Sequence, residues 1–335
     1  MKNTLMNRWS NRLINTLLLL VVLVLAGCSQ PIPPKFIKES KWSTSYEVHY
    51  EYQTEEWDDP DVLSTPRVQF TWAKPGLSNY KDVGIWSMRL DGSDIREVVS
   101  PELLYSTGGG GVITSSSMPR SPNNRYIAVK LGKQNKIIDL ETKNVIALSR
   151  SMDWPSFQWL PDSGSLLYNT SKGVKHYHLA TGKEGFIEPR FRDDGLWGRW
   201  FLLDGGRVIT MEIFNEIFTY DFASGELLDK RPGNFDPKDE QRLSADGKYY
   251  IKANSRSGSW TSVDEPNSVI QKIPHLRERY TFAGMTLGQR VFSSYSGKNR
   301  EGVEVVDGDL VKPSIFIFPN RERAPRNISF YNTGY

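Results

Sequence analysis

Apolar and polar positions repeat a short pattern along most of the chain. In five places a turn rich in Pro, Asp, Asn or Gly precedes a strand-like run of alternating faces. The marker residues of these turns lie 39, 42, 42 and 41 positions apart: Asn124, Ser163, Gly205, Gly247 and Gly288. Because a period of about 40 residues with a β-type pattern is typical of propeller blades, we predict an all-β chain of four-stranded blades.

A second marker recurs later in each unit. Residues 139–144, 178–183 and 221–226 each join a strand to a tight polar turn and a returning strand, and residues 89–93 form a looser copy. This pattern predicts a hairpin. The strands between the markers are apolar on both faces, as Val208 and Ile209 illustrate. We therefore expect each sheet to pack between two others.

The two markers together resemble the TolB-like six-bladed propeller family, whose repeats contain a Ser-Pro-Asp-Gly turn before an apolar strand. Pro122 and Pro161 keep the proline of that turn, and Ile85-Trp86 before Leu90-Asp91-Gly92-Ser93 fits the family's second hairpin. The resemblance covers about residues 68–320 and implies a lone propeller without TolB's amino-terminal domain. We place the blades at about 68–104, 112–149, 155–188, 196–230, 238–273 and 279–319.

The two ends of this region bear on the blade number. Seven blades would result if residues 46–53 began another, but we expect six. Residues 47–52 and 327–331 are strand-like, and a terminal strand that completes the blade at the opposite end would remove a free edge. The resulting domain assignment is a signal peptide at 1–27, a tether at 28–41 and a single propeller at 42–335.

The amino terminus has the pattern of an export signal. Lys2, Arg8 and Arg12 precede an unbroken apolar run of ten residues, 17–26, which is about half of what a membrane-spanning helix needs. Leu25-Ala26-Gly27-Cys28 resembles the lipobox of bacterial lipoproteins. That resemblance implies cleavage before Cys28, acylation of Cys28 and, because Ser29 rather than Asp follows, an outer-membrane location on the periplasmic face or the cell surface. The alternative is an ordinary signal followed by a buried free cysteine.

Composition narrows the function further. The chain has 335 residues with 42 basic and 39 acidic side chains, and without residues 1–27 it has 39 of each. A neutral mature protein lacks the basic surface of a nucleic-acid binder. A single cysteine excludes a disulfide framework within the chain and a zinc site made of cysteines.

The sequence offers little catalytic chemistry. It has no Gly-x-Ser-x-Gly elbow, Walker loop, His-Glu-x-x-His motif or EF-hand loop. His176 and His178 lie two apart on one predicted strand and could offer two metal ligands, or could be ordinary strand histidines. Residues 108–111 are four glycines, which we interpret as an inter-blade loop rather than a phosphate cradle. The acidic residues around Trp57 suit either a solvated loop or calcium. Arg321, Arg323 and Arg326 could lie beside them.

We therefore expect a non-catalytic module that binds an envelope protein and needs no cofactor or metal. An envelope polysaccharide lyase or hydrolase with a site over the central channel is the alternative, and a structural subunit of an envelope complex is a third. Connections between blades carry Trp, Tyr and Arg, residue types enriched at interaction hot spots. The candidate partner-binding residues are Trp154, Arg190, Arg192, Trp197, Arg231, Arg277, Arg279 and Tyr280. We expect an acidic partner there.

Overall fold

The computed structural model describes most of the chain from residue 31 onwards. The described residues are 31–41, 43–77, 79–107, 119–150, 157–170, 173–187, 200–213, 215–233, 241–243, 249–253, 258–262, 264, 269–273, 281–285, 290–294, 302–307, 314–319 and 325–331. Strands dominate them, and the two α-helices among them, α1 (Pro60–Ser64) and α2 (Pro101–Tyr105), have five residues each. Within these residues no helix is long and apolar enough to cross a membrane.

The described strands form six antiparallel sheets that follow one another along the chain, and strands from the two ends are added to the first and last of them. The first sheet contains β3 (Arg67–Ala73), β4 (Val83–Arg89), β5 (Arg96–Val99) and the carboxyl-terminal β25 (Arg326–Tyr331). The second contains β6 (Tyr126–Leu131), β7 (Gln134–Asp139) and β8 (Asn144–Arg150). The third contains β9 (Phe157–Trp159), β10 (Ser165–Thr170), β11 (Gly173–His178) and β12 (Glu184–Phe186).

The remaining sheets have the same meander order. The fourth contains β13 (Trp200–Leu203), β14 (Val208–Ile213), β15 (Glu216–Asp221) and β16 (Leu227–Pro232). The fifth contains β17 (Gln241–Leu243), β18 (Tyr249–Ala253), β19 (Gly258–Ser262) and β20 (Val269–Ile273). The sixth contains β21 (Thr281–Met285), β22 (Arg290–Ser294), β23 (Gly302–Asp307) and β24 (Ser314–Ile317), extended by β2 (Thr44–Glu47) and β1 (Lys35–Glu39). Each predicted repeat unit thus coincides with one sheet.

In the central strands of the second and third sheets, alternating side chains pack against two different neighbouring sheets. In β6, Ile127 and Val129 join an apolar cluster with the first sheet, whereas Ala128 joins a cluster with the third. In β10, Leu166 packs towards the second sheet and Leu167 towards the fourth. Side chains of a strand point alternately to its two faces, so a sheet packed on both sides needs apolar residues at successive positions. This explains the doubly apolar strands of the sequence.

The two recurring turns touch one another in three of the units. The backbone N–H that opens the second turn donates to a carbonyl just after the first-turn marker in three units: Leu140 to Arg125 at 2.9 Å, Leu179 to Gly164 at 3.0 Å and Phe222 to Arg207 at 2.8 Å. The first turn has its positive φ at the marker positions, 61° at Asn124, 58° at Ser163 and 62° at Gly205. The repeated hydrogen bond gives a physical reason for both markers to recur with the same spacing.

Both ends of the chain meet at the junction of the first and sixth sheets. β25 pairs antiparallel with β3, and β2 pairs parallel with β24. Phe70 and Trp72 of β3 pack against Phe316 and Phe318 of the sixth sheet. The expectation that a carboxyl-terminal strand completes the first blade is confirmed. The amino-terminal strand differs from its predicted bounds of 47–52, because pairing with β24 ends at Glu47 and only the N–H of Val48 still bonds to Ile317.

The predicted tether also contains regular structure. β1, inside residues 28–41, forms a hairpin with β2 in which Lys35 lies opposite Glu47 and Glu39 opposite Thr44. Cys28 lies outside the described residues. The sixth sheet therefore begins with an amino-terminal hairpin only a few residues after the predicted lipidation site.

Candidate functional site

Antiparallel order places the loops of every sheet at two opposite ends. The marker turns lie at one end, which we call the turn end. The chain passes from sheet to sheet at the other, which also carries the loop between the second and third strands of a unit and which we call the connection end. Loops on a rigid scaffold are where binding usually resides. The connection end is therefore the first place to search for a site.

The connection from the first to the second sheet begins with α2. The Ser100 side chain caps this helix by accepting a hydrogen bond from the Leu103 N–H, and Pro101 occupies the first turn, where its missing N–H costs nothing. Tyr105 donates its hydroxyl proton to the carbonyl of Tyr80 at 2.9 Å in the β3–β4 loop. These contacts fix the helix against that loop.

A cleft of about 210 Å³ lies between α2 and the β3–β4 loop. It has both signs of charge on its walls, and its lining residues are Lys74, Leu77, Lys81, Asp82, Pro101, Glu102 and Tyr105. The Lys81 side chain is exposed. Hydrogen bonds from its own backbone N–H and from the Ser100 side chain lower the pKa of Glu102, which is therefore ionised at neutral pH. Paired charges beside an apolar wall suit a polar peptide surface better than a single ion.

An aromatic cluster supports one wall of the cleft. The Lys74 Nζ lies 3.8 Å from the centre of the Tyr52 ring and 3.5 Å from Glu97 Oε1, and the Tyr52 hydroxyl donates to Glu97 Oε2 at 2.8 Å. Tyr50 packs edge-on against Trp72 and Trp86. Burial and then the Glu97 charge raise the pKa of Tyr50 to about 12. Because Lys74 is held by a ring and a carboxylate, its ammonium has a fixed position at the cleft.

Part of the acidic segment around Trp57 is buried and paired. The Glu55 side chain is fully buried between the first and second sheets, with its Oε1 2.6 Å from Arg120 Nη2 and its Oε2 3.5 Å from Arg67 Nε. Ser87 donates a hydrogen bond to the same carboxylate. Glu55 is therefore part of a buried ion-pair network, in which its charge is compensated by two guanidinium groups.

The rest of this network lies at the turn end of the first sheet. Asp94 accepts from Arg67 at 2.7 Å and from Arg96 at 2.9 Å, and burial would raise the pKa of Asp94 but these hydrogen bonds lower it. Asp59 and Asp61 pair with Arg96 and Arg89 at 2.5 and 2.7 Å. Arginines thus pair with Glu55, Asp59 and Asp61, so the expectation of a solvated loop is wrong for these three residues, whereas Glu56 and Asp58 are exposed as expected. Arg321 and Arg323 lie outside the described residues, as does the Arg326 side chain.

The two strand histidines do share a face, as predicted. The ring centres of His176 and His178 are 3.8 Å apart, and Phe222 of the fourth sheet lies 4.8 Å from His176. Burial, and then the neighbouring His178, lowers the pKa of His176 to about 4. Among the described residues no group of three or more His, Cys, Asp and Glu side chains could hold a metal ion. His176 therefore packs the third sheet against the fourth at the turn end, and His178 is exposed beside it.

Comparison with known proteins identifies the fold. No family model matches the chain, and no curated protein matches it in sequence. TolB from Acinetobacter baumannii superposes with a TM-score of 0.50 and 16% identity, over 79% of this chain and 66% of TolB. This chain has a TolB-like β-propeller fold. A chain of the nidogen/laminin complex gives 0.48 at 9% identity, over 80% of this chain and 99% of its own length. Kuenenia stuttgartiensis hydrazine synthase gives 0.37 at 14%, over 58% and 62%.

The propeller fold locates one of the predicted partner-binding residues. Arg231 is exposed in β16, the outermost described strand of the fourth sheet, opposite Ile217 and close to the connection end. Sequence reasoning placed it in the connection that follows. The other candidates lie outside the described residues: Trp154, Arg190, Arg192, Trp197, Arg277, Arg279 and Tyr280. The four glycines at 108–111 also lie outside the described residues.

Sequence reasoning missed the cleft of the first sheet. Two signals could have found it: Pro75-Gly76, a turn dipeptide beside Lys74, and Ser100-Pro101-Glu102, the start of a capped helix. Both lie at the connection end that the repeat pattern singled out. The cleft therefore adds Lys81 and Tyr105 to the candidate residues of this end.

Proposed function

We propose that this protein is an outer-membrane-anchored lipoprotein whose six-bladed propeller binds a protein partner in the cell envelope and catalyses no reaction. The lipobox resemblance at Cys28 supports the anchor, and the TolB-like fold supports a propeller scaffold. Six sheets in one meander order, with both chain ends at one junction, support a single ring.

The observation that carries the binding role is the cleft at the connection end. The Lys74 ammonium is held in a fixed position, and the Lys81 side chain is exposed. Leu77 and Tyr105 line the same cleft and can bury apolar surface against a partner. Tyr and Arg combine large contact area with directed polar contacts. The arginines of neighbouring connections would extend this surface towards an acidic partner. We infer that the partner docks across several connections rather than inside one pocket.

The anchor is tested by the mature N-terminus. In the wild-type chain, mass spectrometry should find a diacylglyceryl group on Cys28 and cleavage just before it. A Cys28→Ser chain should stay uncleaved at that bond and lack the lipid. Maturation of this variant to the wild-type mass would refute the anchor.

The docking surface is tested with matched double variants. Arg190→Ala with Arg192→Ala, and Arg277→Ala with Arg279→Ala, each remove two positive charges from a segment that the sequence predicts to connect two blades. Lys183→Ala with Arg207→Ala removes two exposed charges from turns at the opposite end. Crosslinking in intact envelopes should lose the partner for the first two variants and keep it for the third. Equal crosslinking by all three folded proteins would refute the surface.

A further inference from the structure

The amino-terminal hairpin carries an unusual concentration of exposed apolar side chains. Ile32, Phe36 and Ile37 are 45%, 56% and 43% exposed, and they are three of the eight large hydrophobic residues that are exposed in the described part of the chain. They fall within six consecutive positions. All five residues of β1 are exposed. Such clustering on a soluble surface marks an interaction site.

The position of β1 in the sixth sheet explains this exposure. β1 is the outermost strand and pairs with β2 on one side, and among the described residues no other strand pairs with its outer edge. Phe36 lies edge-on to Tyr46, with ring centres 6.2 Å apart, and Ile37 is the extra residue where the register shifts between Phe36 and Lys38. An edge strand with large exposed apolar side chains normally needs a cover.

The charges on this segment have one predominant sign. Residues 31–41 carry three lysines against one glutamate. Lys35 and Lys38 lie on β1 itself, on either side of Phe36 and Ile37. Segments that combine basic residues with large apolar ones bind the surface of anionic bilayers, where the lysines meet phosphate groups and the apolar side chains enter the headgroup boundary.

The chain that precedes β1 brings it close to such a surface. This step rests on the proposed acylation of Cys28. Lys35 lies seven positions after Cys28, and an extended chain spans at most about 3.5 Å per residue. An acyl anchor at Cys28 therefore holds β1 within about 25 Å of the headgroups. A strand at the far side of the propeller has no such constraint.

We propose that β1 and Ile32 form a second membrane contact, in which Lys35 and Lys38 bind phospholipid phosphates while Phe36, Ile37 and Ile32 enter the bilayer interface. The contact covers the free edge of the sixth sheet. It also turns that sheet towards the membrane, so that the propeller is held in one orientation rather than swinging on a tether.

Depth-dependent quenching tests the contact on the acylated, full mature chain in vesicles of phosphatidylethanolamine and phosphatidylglycerol. An environment-sensitive fluorophore is attached through Ile37→Cys or, as a matched control, Leu228→Cys. Leu228 is 52% exposed on β16, another outermost strand. Nitroxide-labelled lipids should quench the label at position 37 at least about threefold more than the label at 228. Adding Lys35→Glu and Lys38→Glu should reduce quenching at 37 to the control level at an unchanged melting temperature.

The outcomes separate the contact from the anchor. The mass of the amino-terminal peptide reports acylation independently, so a chain without lipid refutes the anchor. An acylated chain with equal quenching at both positions refutes the strand contact alone. Emission at position 37 that depends on protein concentration and not on lipid would assign the strand to a second copy of the chain, and would also overturn the proposal.

Discussion

Replacing Gly92 by alanine should destabilise the protein by about 3 kcal/mol, because the position is strained twice. Gly92 has a φ of +82° in the β4–β5 turn. A Cβ there would lie 3.0 Å from Phe316 Cγ and overlap two further ring carbons. The Phe316 ring is buried and stacks on Tyr46 with centres 5.7 Å apart, so it cannot swing aside freely.

Gly76 provides the matched control. It has the same φ of +82°, but a Cβ there would meet no atom within 4 Å. Gly76→Ala should therefore cost only the backbone strain, about 1 kcal/mol. Both changes reduce the freedom of the unfolded chain equally. The difference of about 2 kcal/mol then measures the contact between the first and sixth sheets.

Urea unfolding of the unacylated Cys28→Ser chain, followed by tryptophan fluorescence, measures both costs. The difference corresponds to a melting temperature about 4 °C lower for Gly92→Ala than for Gly76→Ala. In a Phe316→Ala background the two glycine substitutions should become equivalent. Equal destabilisation of the two variants in the wild-type background would show that the β4–β5 turn does not pack on Phe316, and would refute the junction of the chain ends.

Three further predictions address other parts of the propeller. Burial lowers the pKa of His176 in the folded protein to about 4 from its ordinary value of 6.5, so the unfolded chain binds more protons between these two pH values. The urea midpoint should therefore fall as the pH is lowered from 6.5 to 4. His176→Asn should flatten this dependence, whereas His49→Gln, at an exposed site, should leave it unchanged. Glu55→Gln should lower the free energy of unfolding by about 3 kcal/mol, because it removes the charge that compensates two buried arginines. Glu56→Gln, at an exposed neighbouring position, should change the stability by less than about 0.5 kcal/mol. Equal costs for the two variants would contradict the buried network. A chain that stops at residue 324 loses β25, exposes an edge of β3 and should aggregate in size-exclusion chromatography; a chain that stops at 331 keeps β25 and should remain monodisperse.

Local chemistry made the sheets predictable. Asn124, Ser163 and Gly205 could be read as turn markers because positive φ demands a small set of residue types, and the structure has positive φ at each of them. The same logic located the carboxyl-terminal strand, since a blade short of one strand must take it from the other end of the chain. These features depend on residues close in sequence or on a rule about sheet edges.

The ion pairs could not be predicted in the same way. Glu55 and Arg120 meet only because the first and second sheets pack together, and nothing near either residue signals the other. An acidic run looks solvated in sequence unless its partners are known. The cleft had the same difficulty, because Lys81 and Glu102 come from a loop and a connection that fold against each other. The acylation of Cys28 and the docking role of the connection arginines remain predictions.

The pairing of β25 with β3 also sets the order in which the protein can fold. Tyr331 lies opposite Arg67, so the first sheet is completed by a strand that comes after all the other sheets in the sequence. Contacts between such distant parts of a chain form slowly. A chain exported from its amino terminus would leave β3 with an open edge until β25 had been synthesised and translocated. During that interval an unpaired strand edge is prone to aggregation. In an exported chain, β3 would therefore have to be kept apart from other unfolded chains until β25 had crossed the membrane.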